Sequence, residues 1–408
     1  MSVNLSKIKT NWVSVFLVSL FALYFIALNV NHRFELRDFE VYYTASKHFF
    51  AGEQVYGRYY GLTSGFYKYS PFALFIFLPF TFFPLKIAIV LYFILLSFLI
   101  VYGFYFLKHF IDSYLNLNTS SDMKNTILFI SAFVMLVHLQ RELELGNVNW
   151  ILMLSLTVSL KLLLDKKHIA AGIIISLCIL LKPHFIIILP LLFLHKKWKT
   201  LFVVFISLVS CFLFPILIVG FNQNLVLHTE WINTMAAHNS TQNLVEGYTT
   251  IQAIIYHLFL SHILENVGSI YNLIVIGLVA VGILGLFLFH FEKEKSGNLE
   301  MRKNLTIEFL ILIALVPNLT LTDTEHFLYS TPLIIFLVSQ LFSISKYRIM
   351  FWFICTSLFF YGGNWHDLWG HQLFILFSKS GLLGIGNLMI IVSSIIVYNQ
   401  NKLFQVPD

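Results

Sequence analysis

The sequence predicts an all-α polytopic membrane protein, and three observations carry that prediction. Of 408 residues, 58% are apolar and only 11% charged, a balance far from that of soluble globular chains. Runs of about 20 apolar residues, each long enough to cross a hydrocarbon core, recur from Trp12 to Tyr398. The breaks between them are short and polar, and no long polar stretch remains for a separate soluble unit, so residues 1–408 read as one integral membrane domain. In such a chain the net charge of +6 concerns loop placement about the bilayer and makes no case for nucleic acid.

The first span, Trp12–Val30, follows Lys7 and Lys9 and ends on Asn29-Val30-Asn31-His32, which offers no small-residue cleavage site. It reads as an uncleaved anchor with its N-terminus inside. Residues 31–84 form the first outer loop. Within it, 70–83 reads as a re-entrant or juxtamembrane helix, because one more crossing there would invert every later loop. Residues 85–221 hold the central spans at 85–107, 125–139, 147–164, 169–181, 185–194 and 200–221. The pair 169–181 and 185–194 is short for full crossings and makes a hairpin. Residues 222–268 form another outer loop, and 269–408 hold the last spans, at 269–290, 305–321, 327–345, 349–362 and 378–398. The total is about twelve spans, with both termini cytoplasmic in a plasma membrane. Lys166-Lys167, Lys196-Lys197-Trp198-Lys199 and Arg302-Lys303 then lie inside. Cys178, Cys211 and Cys355 all fall within apolar runs, which argues against a disulfide framework or a thiolate metal site.

The inner loops are short and basic, as topology alone requires, whereas the outer loops are longer and collect most of the 15 histidines and most carboxylates. Function is therefore expected on the outer face. The first outer loop opens with Arg37-Asp38-Phe39-Glu40-Val41-Tyr42-Tyr43. In an extended segment Asp38 and Glu40 would share one face; a solvated turn capping the span is the plain alternative. Tyr56, Tyr59, Tyr60, Tyr67 and Tyr69 follow, either an interfacial aromatic belt or a platform on which a sugar stacks its C–H face. The stretch from Gln140 to Asn149 reads as a charged loop, and Asn147 and Asn149 at the head of a span need partners to be buried there. Lys182-Pro183-His184 sits between two apolar half-hairpins. An ammonium at that depth costs about 2.5 to 3.5 kcal/mol on insertion scales, so Lys182 either snorkels outward or meets an anion such as a phosphate. In Thr322-Asp323-Thr324-Glu325-His326, a histidine beside two carboxylates can hold a proton and donate to phosphate. The histidines reproduce no zinc spacing, and no metal or other cofactor is expected; a divalent cation on Asp38 and Glu40 has only that pair in its favour.

With these residues in view, the chain resembles the GT-C glycosyltransferases, and most closely glycosyltransferase family 87. The likeness rests on Asp38-Phe39-Glu40-Val41-Tyr42-Tyr43 with Ala51-Gly52 and Tyr56, on Tyr69-Ser70-Pro71, on Gly146-Asn147-Val148-Asn149, and on Leu181-Lys182-Pro183 leading to the Lys196-Lys197-Trp198-Lys199 loop. Where that family carries Gly-Gln-x-Asn, this chain has Asn147. The resemblance implies a GT-C-type fold and an inverting transfer of a hexose, mannose first, from a polyprenyl-phosphate sugar donor. The acceptor would be a hydroxyl of a glycolipid or polysaccharide at the outer face of the bilayer. It implies Asp38 as catalytic base and Lys182 and His326 as donor-phosphate contacts, and Arg141 is expected at the phosphate with them. Glu40, Tyr42, Tyr43, Tyr69, Asn147, Asn149 and His184 are then sugar or acceptor contacts. Two other classes fit a polytopic chain: a transporter or flippase, which more often shows paired halves or broken helices, and a non-catalytic membrane subunit.

Overall fold

A computed structural model describes residues 12–60, 65–117, 121–238, 248–257, 298–320, 323–344 and 347–404. Among these residues every regular element is a helix, apart from one isolated antiparallel bridge between Tyr59 and Phe66. Helix α1 (Trp12–Val30) leads through a short turn into α2 (Arg37–Phe50), followed by two single-turn pieces at Ala73–Phe77 and Leu78–Phe82. Then come α3 (Leu85–Leu115), α4 (Ser121–Leu145), α5 (Asn149–Leu164) and α6 (His168–Leu181). A broken stretch at Pro183–Ile187 and Ile188–Leu194 precedes α7 (Trp198–Leu213), a short turn of helix at Ile216–Val219, and α8 (Phe221–His238). After one turn at Ile251–Ile255, the chain continues as α9 (Asn298–Leu319), a 3-10 segment at Thr324–Ser330, α10 (Thr331–Ile344), α11 (Arg348–Gly362), α12 (His366–Lys379) and α13 (Leu382–Phe404).

Five helices among the described residues are long and apolar enough to cross a membrane: Trp12–Val30, Leu85–Leu115, Met123–Leu145, Trp198–Val219 and Leu382–Gln400. That is the mark of a membrane protein, but it overturns the expected count of about twelve spans and the GT-C-type fold that rests on it. Most of the other expected crossings are helical but short. Helices α5, α6, α10 and α11 have 16, 14, 14 and 15 residues. At 1.5 Å per residue these reach only about 21 to 24 Å, short of a hydrocarbon core of about 30 Å. The expected span at 185–194 is divided between a 3-10 piece and seven residues of α-helix. Helix α9 has the length but includes Glu300, Arg302, Lys303 and Glu308. The expected span at 269–290 lies outside the described residues, as does part of the 222–268 loop.

The physical reason for the excess is that apolarity marks burial in protein as well as burial in lipid. In α10, Leu333 to Val338 are each at most 1% exposed, which is the pattern of a central core helix apolar on every side. Helix α5 likewise buries Trp150, Leu152, Met153, Leu156 and Leu160. This core is covered by α3, α4 and α9, and the 3-10 segment at Thr324–Ser330 packs against α4, α5 and α9. The supposed charged loop from Gln140 is the last turns of α4, so the connection to α5 is only Gly146-Asn147-Val148.

Candidate active site

Three breaks in the helices deliver the polar residues to one place. The first is at Leu36, whose φ of 46° is left-handed and whose side chain is 1% exposed; it ends the link from α1 and puts Asp38 in the first turn of α2. The second is Gly146, also left-handed, at φ 65°. A Cβ there would lie 3.0 Å from both Leu36 Cβ and Phe39 Cβ, so the bare glycine lets the turn between α4 and α5 close onto the start of α2. The third is Lys182, held extended at φ −137° and ψ 100°, as expected for the residue before a proline. It ends α6 and turns its side chain inward.

Asn147 is the hinge of the first half. Its Nδ2 donates to Asp38 Oδ2 at 2.7 Å. Its Oδ1 accepts from the Val148 backbone N–H at 2.7 Å and from the Tyr42 and Tyr69 hydroxyls at 3.3 and 3.4 Å. Those two hydroxyls are 2.8 Å apart, and the Tyr92 hydroxyl donates to the Asn147 carbonyl. The amide is thereby locked with its nitrogen toward the carboxylate.

Asn149, two residues on, organises the second half. Its Nδ2 donates to Glu142 Oε2 at 3.0 Å, while its Oδ1 accepts from Lys182 Nζ at 2.5 Å and Tyr329 OH at 2.7 Å. Glu142 Oε1 also takes the backbone N–H of Trp150 at 2.9 Å, so a carboxylate from α4 satisfies one of the unpaired donors at the head of α5. Lys182 is 6% exposed, so it does not snorkel; its Nζ lies 2.6 Å from His326 Nε2. His326 Nδ1 is in turn 3.2 Å from Glu325 Oε1. The 3-10 segment that carries both is pinned by His138, whose Nδ1 lies 2.7 Å from the Thr324 carbonyl and whose Nε2 lies 3.1 Å from that of Tyr361.

The two halves form one electrostatic unit. Burial pushes the Asp38 carboxyl up to about 7, with Glu325 adding to the rise, Lys182 and Lys68 opposing it, and Asp323 adding slightly. Burial likewise pushes Lys182 down to about 8 against the pull of Glu325, Glu142 and Asp38. His326 and His184 are held well below the usual histidine range, first by burial and then by the Lys182 charge. Lys68 is lowered by burial while Asp38 and Asp323 draw it up. The result is a carboxyl group that changes charge near neutrality beside a buried ammonium, a pairing suited to moving a proton near an anionic leaving group.

Of the residues singled out from sequence, the structure brings together Asp38, Tyr42, Tyr69, Asn147, Asn149, Lys182 and His326, with His184 close enough to feel Lys182 and His326. Others stand apart. Because α2 is a helix and not an extended strand, residues two apart point about 200° away from each other. Glu40 therefore points away from Asp38, and its carboxyl is raised first by burial and then by Glu35. The Tyr43 hydroxyl donates to the Phe83 carbonyl at 2.8 Å. Arg141 lies half-exposed 3.4 Å from Glu144, and only its charge reaches the site, at Glu325. Among the described residues no three His, Cys, Asp or Glu side chains are grouped to hold a metal.

Sequence reasoning missed Glu142, Lys68 and Tyr329, and took Glu325 only as a neighbour of His326. Glu142 carried a signal: it continues the stripe Leu128, Ala132, Met135, His138, whose members are all at most 2% exposed. A helix read on through Leu145 would have turned this carboxylate inward.

The sequence matches glycosyltransferase family 87 over residues 66–316, more than half of the chain. The matched stretch includes Tyr69, Asn147, Asn149 and Lys182 and leaves Asp38 and His326 on its two sides. No curated protein matches the chain.

Proposed function

We propose, since the chain belongs to glycosyltransferase family 87, that it transfers a hexose from a polyprenyl-phosphate sugar to a hydroxyl of a glycolipid or glycan, inverting the anomeric centre. Family membership and the five membrane-length helices make it a membrane-associated glycosyltransferase. Mannose is the leading sugar by family resemblance, and the outer face of a plasma membrane is the side on which the reaction is placed. The observation that carries the reading is that Asp38, bonded to Asn147, and Lys182, bonded to Asn149, sit in two polar clusters near enough for the charge of each to act on the other.

In this mechanism the acceptor oxygen attacks the anomeric carbon from the side opposite the phosphate. Asp38 takes the proton that the hydroxyl loses. The bond between the anomeric carbon and the phosphate oxygen breaks, and its electron pair leaves with the phosphate. Lys182, fixed by Asn149 and His326, faces the negative charge that develops there, aided by Lys68. Phosphate is already a competent leaving group, so a second carboxylic acid of the kind used in glycoside hydrolysis is not required. His326 presents a lone pair to Lys182, so its part is to hold the lysine. Tyr42, Tyr69 and Asn147 orient Asp38 and border the place where the sugar would lie.

The test is transfer of labelled mannose from a polyprenyl-phosphate donor by detergent-purified protein, with no sealed compartment. Asp38→Asn keeps the size of the side chain and should lower the rate by about 100-fold or more. Full turnover by that variant would remove Asp38 as the base, and transport without transfer would replace the enzymatic reading.

A further inference from the structure

Two turns have the same backbone: one joins the end of α5 farthest from Asn149 to the end of α6 farthest from Lys182, and the other joins Ile188–Leu194 to α7. In Asp165-Lys166-Lys167-His168 the Lys167 N–H bonds to the Leu162 carbonyl at 2.8 Å and the Lys166 N–H to that of Leu163 at 3.2 Å. In His195-Lys196-Lys197-Trp198 the Lys197 N–H bonds to the Leu192 carbonyl at 2.9 Å and the Lys196 N–H to that of Phe193 at 3.0 Å. Both are helix-ending turns whose left-handed position favours glycine. Both place a lysine there instead, Lys166 at φ 60° and Lys196 at φ 54°. Each turn thus carries a positive charge at a position where glycine is the favoured residue.

The two turns are neighbours. His168 Nδ1 lies 3.0 Å from Thr200 Oγ1, and α6 approaches α7 so closely that a Cβ on Gly172 would come within 2.8 Å of Val203 Cβ. Arg302 of α9 joins them, 3.9 Å from Asp165 and 5.7 Å above the Tyr114 ring. Lys197 feels the repulsion of both Arg302 and Lys166, so the cations of three segments share one field. Asp165 is already engaged by Lys161 at 2.6 Å and Tyr114 at 2.8 Å. Beside the lysines, exposed Trp198 and Phe193 pack edge to face at 4.8 Å. Trp198 also begins one of the membrane-length segments, Trp198–Val219. Exposed rings at the end of a span, flanked by a cationic cluster, are at the depth where lipid phosphates lie.

We propose that the paired lysine turns, with Arg302, bind the phosphate head group of an anionic phospholipid, at the end of the molecule opposite the candidate active site. The rise of α5 and α6 separates the two ends by about 21 to 24 Å, so the lipid would act as an anchor and not as a substrate.

Glycine suits the left-handed backbone, so the double variant Lys166→Gly with Lys196→Gly removes two charges without opposing the fold. Full-length protein in detergent is titrated with phosphatidylglycerol, with phosphatidylcholine and with inorganic phosphate, and bound lipid is read by native mass spectrometry. The parent should retain phosphatidylglycerol over phosphatidylcholine. The double variant should lose about fivefold in affinity per lysine, roughly thirtyfold together, with an unchanged or higher unfolding temperature. Equal retention of the two lipids by the parent, or equal phosphatidylglycerol affinity in parent and variant, would overturn the proposal. So would complete displacement of the lipid by an equimolar amount of inorganic phosphate. If the glycine pair does not fold, Lys166→Asn with Lys196→Asn gives the same readout, since asparagine also tolerates this backbone. Lipid retention is measured without sugar transfer, so its failure is separate from any failure of Asp38 as base.

Discussion

Lys182 Nζ lies 2.6 Å from His326 Nε2, although 144 residues separate them along the chain. An ammonium can only donate, so His326 must offer a lone pair at Nε2 and carry its proton on Nδ1, which lies 3.2 Å from Glu325 Oε1 but is not aligned for a hydrogen bond to it. The imidazole is therefore neutral, in keeping with the burial and the Lys182 charge that hold its pKa down. The histidine expected at the donor phosphate thus accepts a hydrogen bond from the lysine expected there too.

Removing the lysine tests that geometry directly. Lys182→Ala should lower kcat/KM for the lipid-phosphate donor by about 100- to 1,000-fold, the range for loss of one charge-stabilising donor, with the acceptor KM little changed. His326→Gln keeps an acceptor oxygen and should retain more activity than His326→Ala. Equal activity of those two variants would show that the accepting atom does not matter.

The pH profile of transfer follows from two groups. Asp38 must be ionised to act as base and Lys182 protonated to meet phosphate. With the first raised to about 7 and the second lowered to about 8, kcat/KM should climb with pH to about 7 and decline above about 8. A rate flat from pH 5 to 9 would contradict both assignments.

The same shift predicts a cost in stability. The folded pKa of Asp38 is raised from its ordinary 3.8 to about 7. Its contribution to stability is thus fully present below about pH 4 and is lost as pH rises through about 7. Asp38→Asn should accordingly unfold at a higher temperature than the parent at pH 8, and the difference should vanish near pH 4. A variant less heat-stable at pH 8 would show that the ionised carboxylate stabilises the fold.

Gly146→Ala is expected to damage the site from outside it. The new methyl would press on Leu36 and Phe39 at 3.0 Å, in a left-handed backbone at φ 65° that alanine resists. A loss of about 1 to 3 kcal/mol in unfolding free energy should accompany a lower kcat, as Asn147 is drawn away from Asp38. Unchanged unfolding and turnover would mean that the turn relaxes at no cost.

Much of the network can be read along the chain, for an energetic reason. Asn147, Asn149 and Lys182 are polar groups beside or between apolar runs, and a polar group buried there must find a partner. Lys182-Pro183 even reveals its backbone, since the proline dictates an extended lysine. Glu142 escaped notice because it sits in a locally charged stretch that reads as solvated, and Lys68 because it stands alone among tyrosines that read as an interfacial belt. The place of Glu142 in the apolar stripe of α4 is masked by the charges on either side of it. Glu40 and Arg141 were misplaced for the converse reason: nearness in sequence to Asp38 and Asn147 is not nearness in space once both lie on helices.

By itself the sequence determined an all-α, membrane-seeking chain and the first span at Trp12–Val30, because hydrophobic periodicity and run length are local properties. Tertiary structure decided how many helices are long enough to cross a bilayer, since an apolar residue facing lipid and one facing α10 look the same in composition. It also decided which polar side chains meet. Some of their bonds join residues more than 100 positions apart, such as Asp38 with Asn147, and that closure depends on a glycine with no side chain to keep two helix ends from touching.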